Sequence, residues 1–285
     1  MHLDSSVAAR LINDIQDCHI LVVGDLMLDR FVDGAVTRIS PEAPVPVLSQ
    51  STSQQMPGGA ANVACNLAQL GARVTLIGAC GDDATAADLA AELQHFPRIT
   101  FIPVTVAGRP TSLKTRYRAS GQQILRVDDE VSIPISDSAQ GELSDRVNAV
   151  LDTADMLILS DYAKGCLPLT LIRSLIDAAR AAKKLIVADP KLADLSVYRD
   201  VDVLTPNLQE LASAAGTSLT ELDAIGATAA AKGAGATYGL GCRTGAAVGG
   251  GRCDATGGTM ACGSLLDAII SCLTASGTEA VGATG

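Results

Sequence analysis

An α/β protein built on a doubly wound, mainly parallel sheet flanked by helices is the fold class that this 285-residue sequence predicts. Short, continuous apolar runs at 19–23, 156–160, 185–188 and 203–204 alternate with longer segments of helical period, the pattern of strands buried on both faces. Each run delivers polar residues as it ends, where open sheets collect their ligands. Between the first two runs, residues 57–81 read as loop, helix and strand, opened by Gly58-Gly59 and closed by Gly81.

The length suits one large α/β domain, or one with an appendage, and is ample for a core. A formal net charge of −10 weighs against nucleic acid and anionic membrane as partners, since both reward clustered Lys and Arg. The eight cysteines show no C-x-x-C or His-rich spacing, so reduced thiols in a cytoplasmic protein are expected. Residues 1–16 repeat Val7, Leu11, Ile12 and Ile15 at helical spacing among charges, which reads as a surface helix and not a targeting segment. The apolar run 265–273 is interrupted by Asp267 and too short to span a bilayer.

From the start, strand 19–23 ends at Gly24-Asp25, with Asp29 four residues on; by position alone either carboxylate could bind a ligand, or Asp25 could cap a turn and Asp29 be solvated. Residues 31–50 alternate and carry Pro41, Pro44 and Pro46, which fits edge strands and turns of a lid. In 57–81 the helix is small and apolar apart from Asn62 in its first turn, Gly71 ends it, and 74–77 is a strand. Asp82 and Asp83 cap a helix from 84 to about 95, with His95 at the surface, and 99–106 returns as a strand.

Strands at 111–117 and 124–127 flank the turn signal Ser120-Gly121 and complete the lid. Lys114, Arg116 and Arg118 recur at a spacing of two and share one strand face, with Arg126 nearby; such a run is either a solvated face or a phosphate clamp. A helix over 137–151, the strand 156–160, a helix from Pro168 to Lys183 and the strands 185–188 and 203–204 follow. The polar residues at their ends, Asp25, Asp29, Asp161, Lys164, Asp189, Lys191, Asn207 and Glu210, predict one cleft along the carboxyl edge of the sheet.

The series Gly58-Gly59-Ala60-Ala61-Asn62-Val63-Ala64, then Gly71 and Gly81, resembles the first signature of the ribokinase-like (PfkB) carbohydrate kinases. The string from Thr37 to Val47, with Arg38, is similar to the heptose 7-phosphate kinase branch, which also occurs as the N-terminal half of a bifunctional enzyme of ADP-heptose synthesis. So are Lys114-x-Arg116, Gln122-Gln123 and Arg126-x-Asp128. The resemblance implies a ribokinase-like fold over 1–215, with a β lid at about 31–50 and 111–127, that takes ATP and Mg²⁺ and dimerises through its lid. It implies substrate binding by Asp29, Arg38, Gly58, Gly59, Asn62, Lys114, Arg116, Arg126, Asp161 and Lys164, and nucleotide binding by Asp189, Lys191, Asn207 and Glu210, Glu210 serving the metal indirectly.

Beyond about residue 215 the chain changes character. All eleven prolines lie at or before Pro206, whereas sixteen of the twenty-seven glycines follow residue 210, so 216–285 reads as an atypical Gly/Ala-rich segment where the family keeps its catalytic part. The family's Gly-Ala-Gly-Asp element has three near matches, which put Ala236, Met260 or Ser264 where the proton-accepting Asp belongs; Asp254 and Asp267 do not follow a glycine turn into a helix. The resemblance therefore implies transfer of the γ-phosphoryl of ATP to O1 of D-glycero-β-D-manno-heptose 7-phosphate, with turnover severely reduced. A sugar-phosphate-binding pseudokinase, or a kinase for another sugar, is the alternative. The nucleotidyltransferase half of the bifunctional relatives has no counterpart in this sequence.

Overall fold

The computed structural model describes residues 13–192, 194–215, 237–240 and 261–262. In chain order the elements are β1 (His19–Gly24), β2 (Leu26–Ile39), β3 (Pro46–Gly59), α1 (Ala60–Gln69), β4 (Arg73–Cys80), α2 (Ala84–Leu93), β5 (Ile99–Thr105), β6 (Ser112–Ala119) and β7 (Gln122–Asp129). They continue with α3 (Asp137–Leu151), β8 (Met156–Ser160), α4 (Leu169–Ala181), β9 (Leu185–Asp189), a 3₁₀ turn (Leu195–Tyr198), β10 (Val203–Leu204), α5 (Leu208–Ala215), β11 (Thr237–Leu240) and β12 (Ala261–Cys262).

Among the described residues, eight strands form one sheet in the order β12-β11-β10-β9-β8-β1-β4-β5, and its pairings are parallel. Both faces are covered, so β1 and β8 are buried along their whole length. Alternation along β1 divides the core. Ile20 and Val22 join the cluster containing Ala61, Ala64, Leu67 and Leu89 of α1 and α2. Leu21 and Val23 join Leu143 and Val147 of α3 and Ile172, Leu175 and Ile176 of α4 on the other side. A doubly wound, three-layer sheet results, as the alternation of runs predicts.

The second sheet, β3-β2-β6-β7, is the lid. β2 pairs antiparallel with β3 and parallel with β6, and β6 turns into β7 through Ser120 and Gly121, both at positive φ (50° and 80°). Its strands are longer than the sequence suggests. β2 begins at Leu26, and the expected loop at Pro57-Gly58-Gly59 is the last stretch of β3, held in register against Leu28, Met27 and Leu26. Pro57 is tolerated because β3 is an edge strand.

The expected strand 74–77 extends to Arg73–Cys80, because β1 and β5 pair along it. The helix expected to reach Lys183 ends at Ala181. Gly71, at φ 104°, closes α1: its N–H bonds the Ala68 carbonyl and that of Ala72 bonds Leu67. Of the expected N-terminal helix, 13–16 are helical with Ile15 buried, and 1–12 lie outside the described residues. Cys18, Cys65, Cys80 and Cys166 are free thiols, while the expectation for Cys242, Cys253, Cys262 and Cys272 falls outside what is described; His95 is exposed, as expected.

Candidate active site

The expected row of polar residues resolves into two clusters resting on a buried frame. The frame starts where β1 ends. Asp25, 2% exposed, turns its carboxylate onto the loop after β8: Oδ2 accepts the N–H groups of Tyr162 (2.8 Å) and Lys164 (3.1 Å), and Oδ1 that of Cys166 (3.0 Å). It caps a loop distant in sequence, a role its position alone does not reveal. Asp161 is buried too, accepting the Ala163 N–H at 2.7 Å and the Tyr198 hydroxyl. Burial pushes its carboxyl above the usual range, against the lowering effect of those bonds. Asp161 thus faces inward, onto Tyr198.

The first cluster lies on the lid. Asp29 sits within β2, opposite Lys114 of β6, and not at the end of a core strand. Arg116 donates to it, and Asp29 Oδ2 lies where a side chain on Gly58 would start, 2.5 Å from an ideal Cβ. Gly59, at φ 56°, approaches the Asp25 carbonyl in the same way. The glycine pair therefore makes room for β2.

Asn62 is exposed in the first turn of α1. Lys114 bonds Asp128 (3.3 Å) and Glu130 (2.5 Å), and Glu130 also holds the ammonium of Lys164. Arg126 pairs with Asp128 at 2.9 Å, and Arg118 with Asp33 through two bonds of 2.9 and 2.7 Å. The guanidinium carbons of Arg116 and Arg118 stand 5.3 and 4.8 Å from the centroid of the Phe31 ring. Arg38 is exposed farther along β2.

The basic strand is thus neither a solvated face nor a bare cationic patch. Each cation has a carboxylate partner within the protein. Burial would raise Glu130, but the two lysine ammoniums outweigh it and hold its carboxyl below the usual range. Asp128 is held low in the same way by Lys114 and Arg126. Sequence reasoning missed Glu130, Asp33 and the frame around Asp25. For Glu130 a signal existed: it follows directly on the strand carrying Arg126 and Asp128.

The second cluster gathers at the ends of β9 and β10. Lys191 donates to Glu210 Oε1 at 2.8 Å, and Thr205 Oγ1 to Asp189 Oδ1 at 3.2 Å. Asn207 and Glu210 exchange bonds across the first turn of α5: Asn207 Oδ1 accepts the Glu210 N–H (2.9 Å), and Glu210 Oε2 that of Asn207 (2.8 Å). This is a capping box, legible in the N-x-x-E spacing. Lys191, Asn207, Gln209, Glu210 and Ser213 line an open cleft of about 310 Å³.

Among the described residues no group of three or more His, Cys, Asp or Glu could hold a metal ion. With both Glu210 oxygens engaged, this cluster fits a hard cation carried mainly by nucleotide phosphates. Ala236, Met260 and Ser264, the positions expected opposite the catalytic Asp, lie outside the described residues.

The profile of the family described as pfkB family carbohydrate kinase matches residues 18–238. The Bifunctional protein HldE of Acidiphilium cryptum (strain JF-5) is 42% identical over 224 residues, which cover 79% of this chain and 46% of that protein. The protein of the same name from Hyphomonas neptunium is 43% identical over 216 residues, covering 76% and 44%. The chain thus spans less than half the length of these curated relatives. Among solved structures, phosphofructokinase-2 from Escherichia coli in complex with fructose-6-phosphate aligns with a TM-score of 0.62 at 21% identity, covering 79% of this chain and 74% of that one. Arabidopsis thaliana ribokinase complexed with ribose and ATP aligns at 0.55 and 20% identity, covering 75% and 68%. These two likenesses show the shared fold.

Proposed function

Because the chain belongs to the pfkB family of carbohydrate kinases, we propose that it acts on D-glycero-β-D-manno-heptose 7-phosphate, taking the γ-phosphoryl of ATP onto O1 to give the 1,7-bisphosphate, a precursor of ADP-heptose. The observation that carries this reading is the lid cluster. Asp29 and Arg116 beside Gly58, and Lys114 and Lys164 on either side of Glu130, bring hydroxyl-binding and phosphate-binding groups together on one surface. The kinship with the proteins named HldE favours this sugar over others of the family.

In the reaction, a bond forms between sugar O1 and the γ-phosphorus, the bond from that phosphorus to the bridging oxygen breaks, and ADP leaves. Asp29 and Asn62 hold sugar hydroxyls. Lys114, Arg116, Arg126 and Lys164 take the 7-phosphate, exchanging their carboxylate partners for phosphate oxygens. Arg38, expected to join them, lies exposed near the far end of β2, away from this cluster. Asp189, Lys191, Asn207 and Glu210 orient the nucleotide phosphates, and Mg²⁺ supplies charge neutralisation there when bound. Asp161 acts through the loop that carries Lys164.

The proton on O1 needs an acceptor, and the family's Asp has no counterpart at Ala236, Met260 or Ser264. A general base contributes about 10²–10⁴-fold, so sugar binding with turnover reduced by about that factor is expected. Calorimetric titration with heptose 7-phosphate and then Mg-ATP, with ADP release followed in parallel, tests this. Sugar binding with slow ADP release supports it, absence of sugar binding overturns it, and a rate ordinary for sugar kinases refutes the reduced turnover.

The exposed Val36, Ile39, Val45, Ile124, Leu125 and Val127 of the lid support a homodimer formed through it. Sedimentation of the purified chain as a monomer would rule that out. A cytoplasmic setting is part of the same proposal. No helix among the described residues is long and apolar enough to cross a membrane.

A further inference from the structure

Lys164 is the one cation of the sugar-phosphate cluster that comes from the core and not from the lid, and its peptide is gripped from both sides. Asp25 Oδ2 accepts its N–H at 3.1 Å, and the Arg109 guanidinium donates to its carbonyl while also bonding the Ile133 carbonyl at 2.8 Å. The neighbouring Ala163 is held at φ 53°, a left-handed conformation that L-residues rarely adopt, with its N–H on Asp161. A loop carrying a non-glycine residue there keeps its shape only if its surroundings over-determine it.

Asp25 also reaches the other half of the site. Its N–H bonds the Ser160 carbonyl at 3.2 Å, and its own carbonyl accepts the N–H of Ala60, the first residue of α1, at 3.0 Å. One residue therefore joins the end of β8, the Lys164 loop and the helix that presents Asn62. Its carboxylate is buried and uses both oxygens on three backbone donors, a task an amide cannot copy because one of its two ends is itself a donor.

We propose that Asp25, assisted by Arg109, is a positioning residue for sugar-phosphate binding: it sets the Lys164 ammonium in register with Asp29 and α1. The inference rests on the lid cluster being the sugar-phosphate site. Asp25 thereby fixes the backbone of a half-buried loop from beneath, and a long, flexible side chain meets a ligand in one geometry only if its backbone is already fixed.

The test compares wild type with Asp25→Asn and Arg109→Gln in the full chain, each checked for folding by thermal melting. Two measurements are made: amide hydrogen exchange at Tyr162, Lys164 and Cys166, and calorimetric affinity for heptose 7-phosphate and, separately, Mg-ATP. Asp25→Asn should speed exchange at those three amides and weaken sugar-phosphate binding about tenfold or more, leaving Mg-ATP affinity within about twofold. Arg109→Gln should act in the same direction on sugar-phosphate binding, which keeps the idea testable should Asp25→Asn not fold.

Unchanged sugar-phosphate affinity in the folded variants would overturn the proposal, as would equal weakening of both ligands, which would indicate a general loss of structure. If wild type binds no heptose 7-phosphate, the sugar reading fails first. Exchange then decides the clamp alone: faster exchange confined to the three amides upholds it, and unchanged exchange refutes it.

Discussion

Gly58 lacks a side chain for a reason that lies on the neighbouring strand: the carboxylate of Asp29 occupies the space a Cβ would need. Gly58→Ala should push Asp29 off Arg116, costing about 1–3 kcal/mol of stability as an overpacking change and weakening sugar-phosphate binding. Denaturant unfolding and calorimetry would read the two effects, and intact binding would show that Asp29 is not needed where it stands. Glu130 lends itself to a titration. Its folded-state pKa is lowered, so its ion pairs contribute stability fully above the unfolded value of about 4.3 and lose that contribution as pH falls through the folded value. Asp128 and Asp83 shift in the same direction. The unfolding free energy should therefore fall between about pH 5 and pH 3, and fall less steeply in Glu130→Gln. Parallel curves for the two proteins would show that Glu130 contributes nothing to the acid dependence.

At the scale of the element, α5 opens on a pair of side chains that close its first turn and that the proposed function also assigns to the nucleotide. Asn207 and Glu210 close its first turn, so their spacing has a local explanation independent of any nucleotide. Glu210→Gln separates the roles. A glutamine can still accept the Asn207 N–H, but it loses the charge that pairs with Lys191 and would serve a metal–nucleotide complex. Stability should change by no more than about 1 kcal/mol, since the lysine is half-exposed, while Mg-ATP binding weakens measurably. Undiminished Mg-ATP affinity would reduce Glu210 to a helix cap. The lid makes the complementary point. Its strands overrun their expected ends because β2 recruits partners on both sides, and the pairing extends to Gly59, where α1 takes over.

The whole molecule is organised by one sheet with a core on each face, so loss on either side is felt by both. Leu175, fully buried in the cluster with α3, should cost about 2–5 kcal/mol on truncation to Ala and lower the melting temperature of the sheet and helices together. Separate transitions by circular dichroism and by hydrogen exchange in β1 would show that the two faces unfold independently. Much of this plan was legible in the residues themselves. A strand buried on both faces must be apolar throughout, which marked β1, β8 and β9, and the turns at Gly71 and Ser120-Gly121 require backbone conformations that few residues adopt. The candidate site was legible as a set of positions, because a motif fixes spacing along the chain. Its pairings were not, because a partner such as Glu130 for Lys164, or the Lys164 N–H for Asp25, lies 34 or 139 residues away. Sequence by itself thus determined which groups this protein holds at the carboxyl edge of its sheet and on its lid. Only the tertiary structure decided which of them stand in the two surface clusters and which, like Asp25 and Asp161, spend their charge on the protein's own backbone and side chains, since burial and hydrogen bonding arise between segments that are remote until the chain folds.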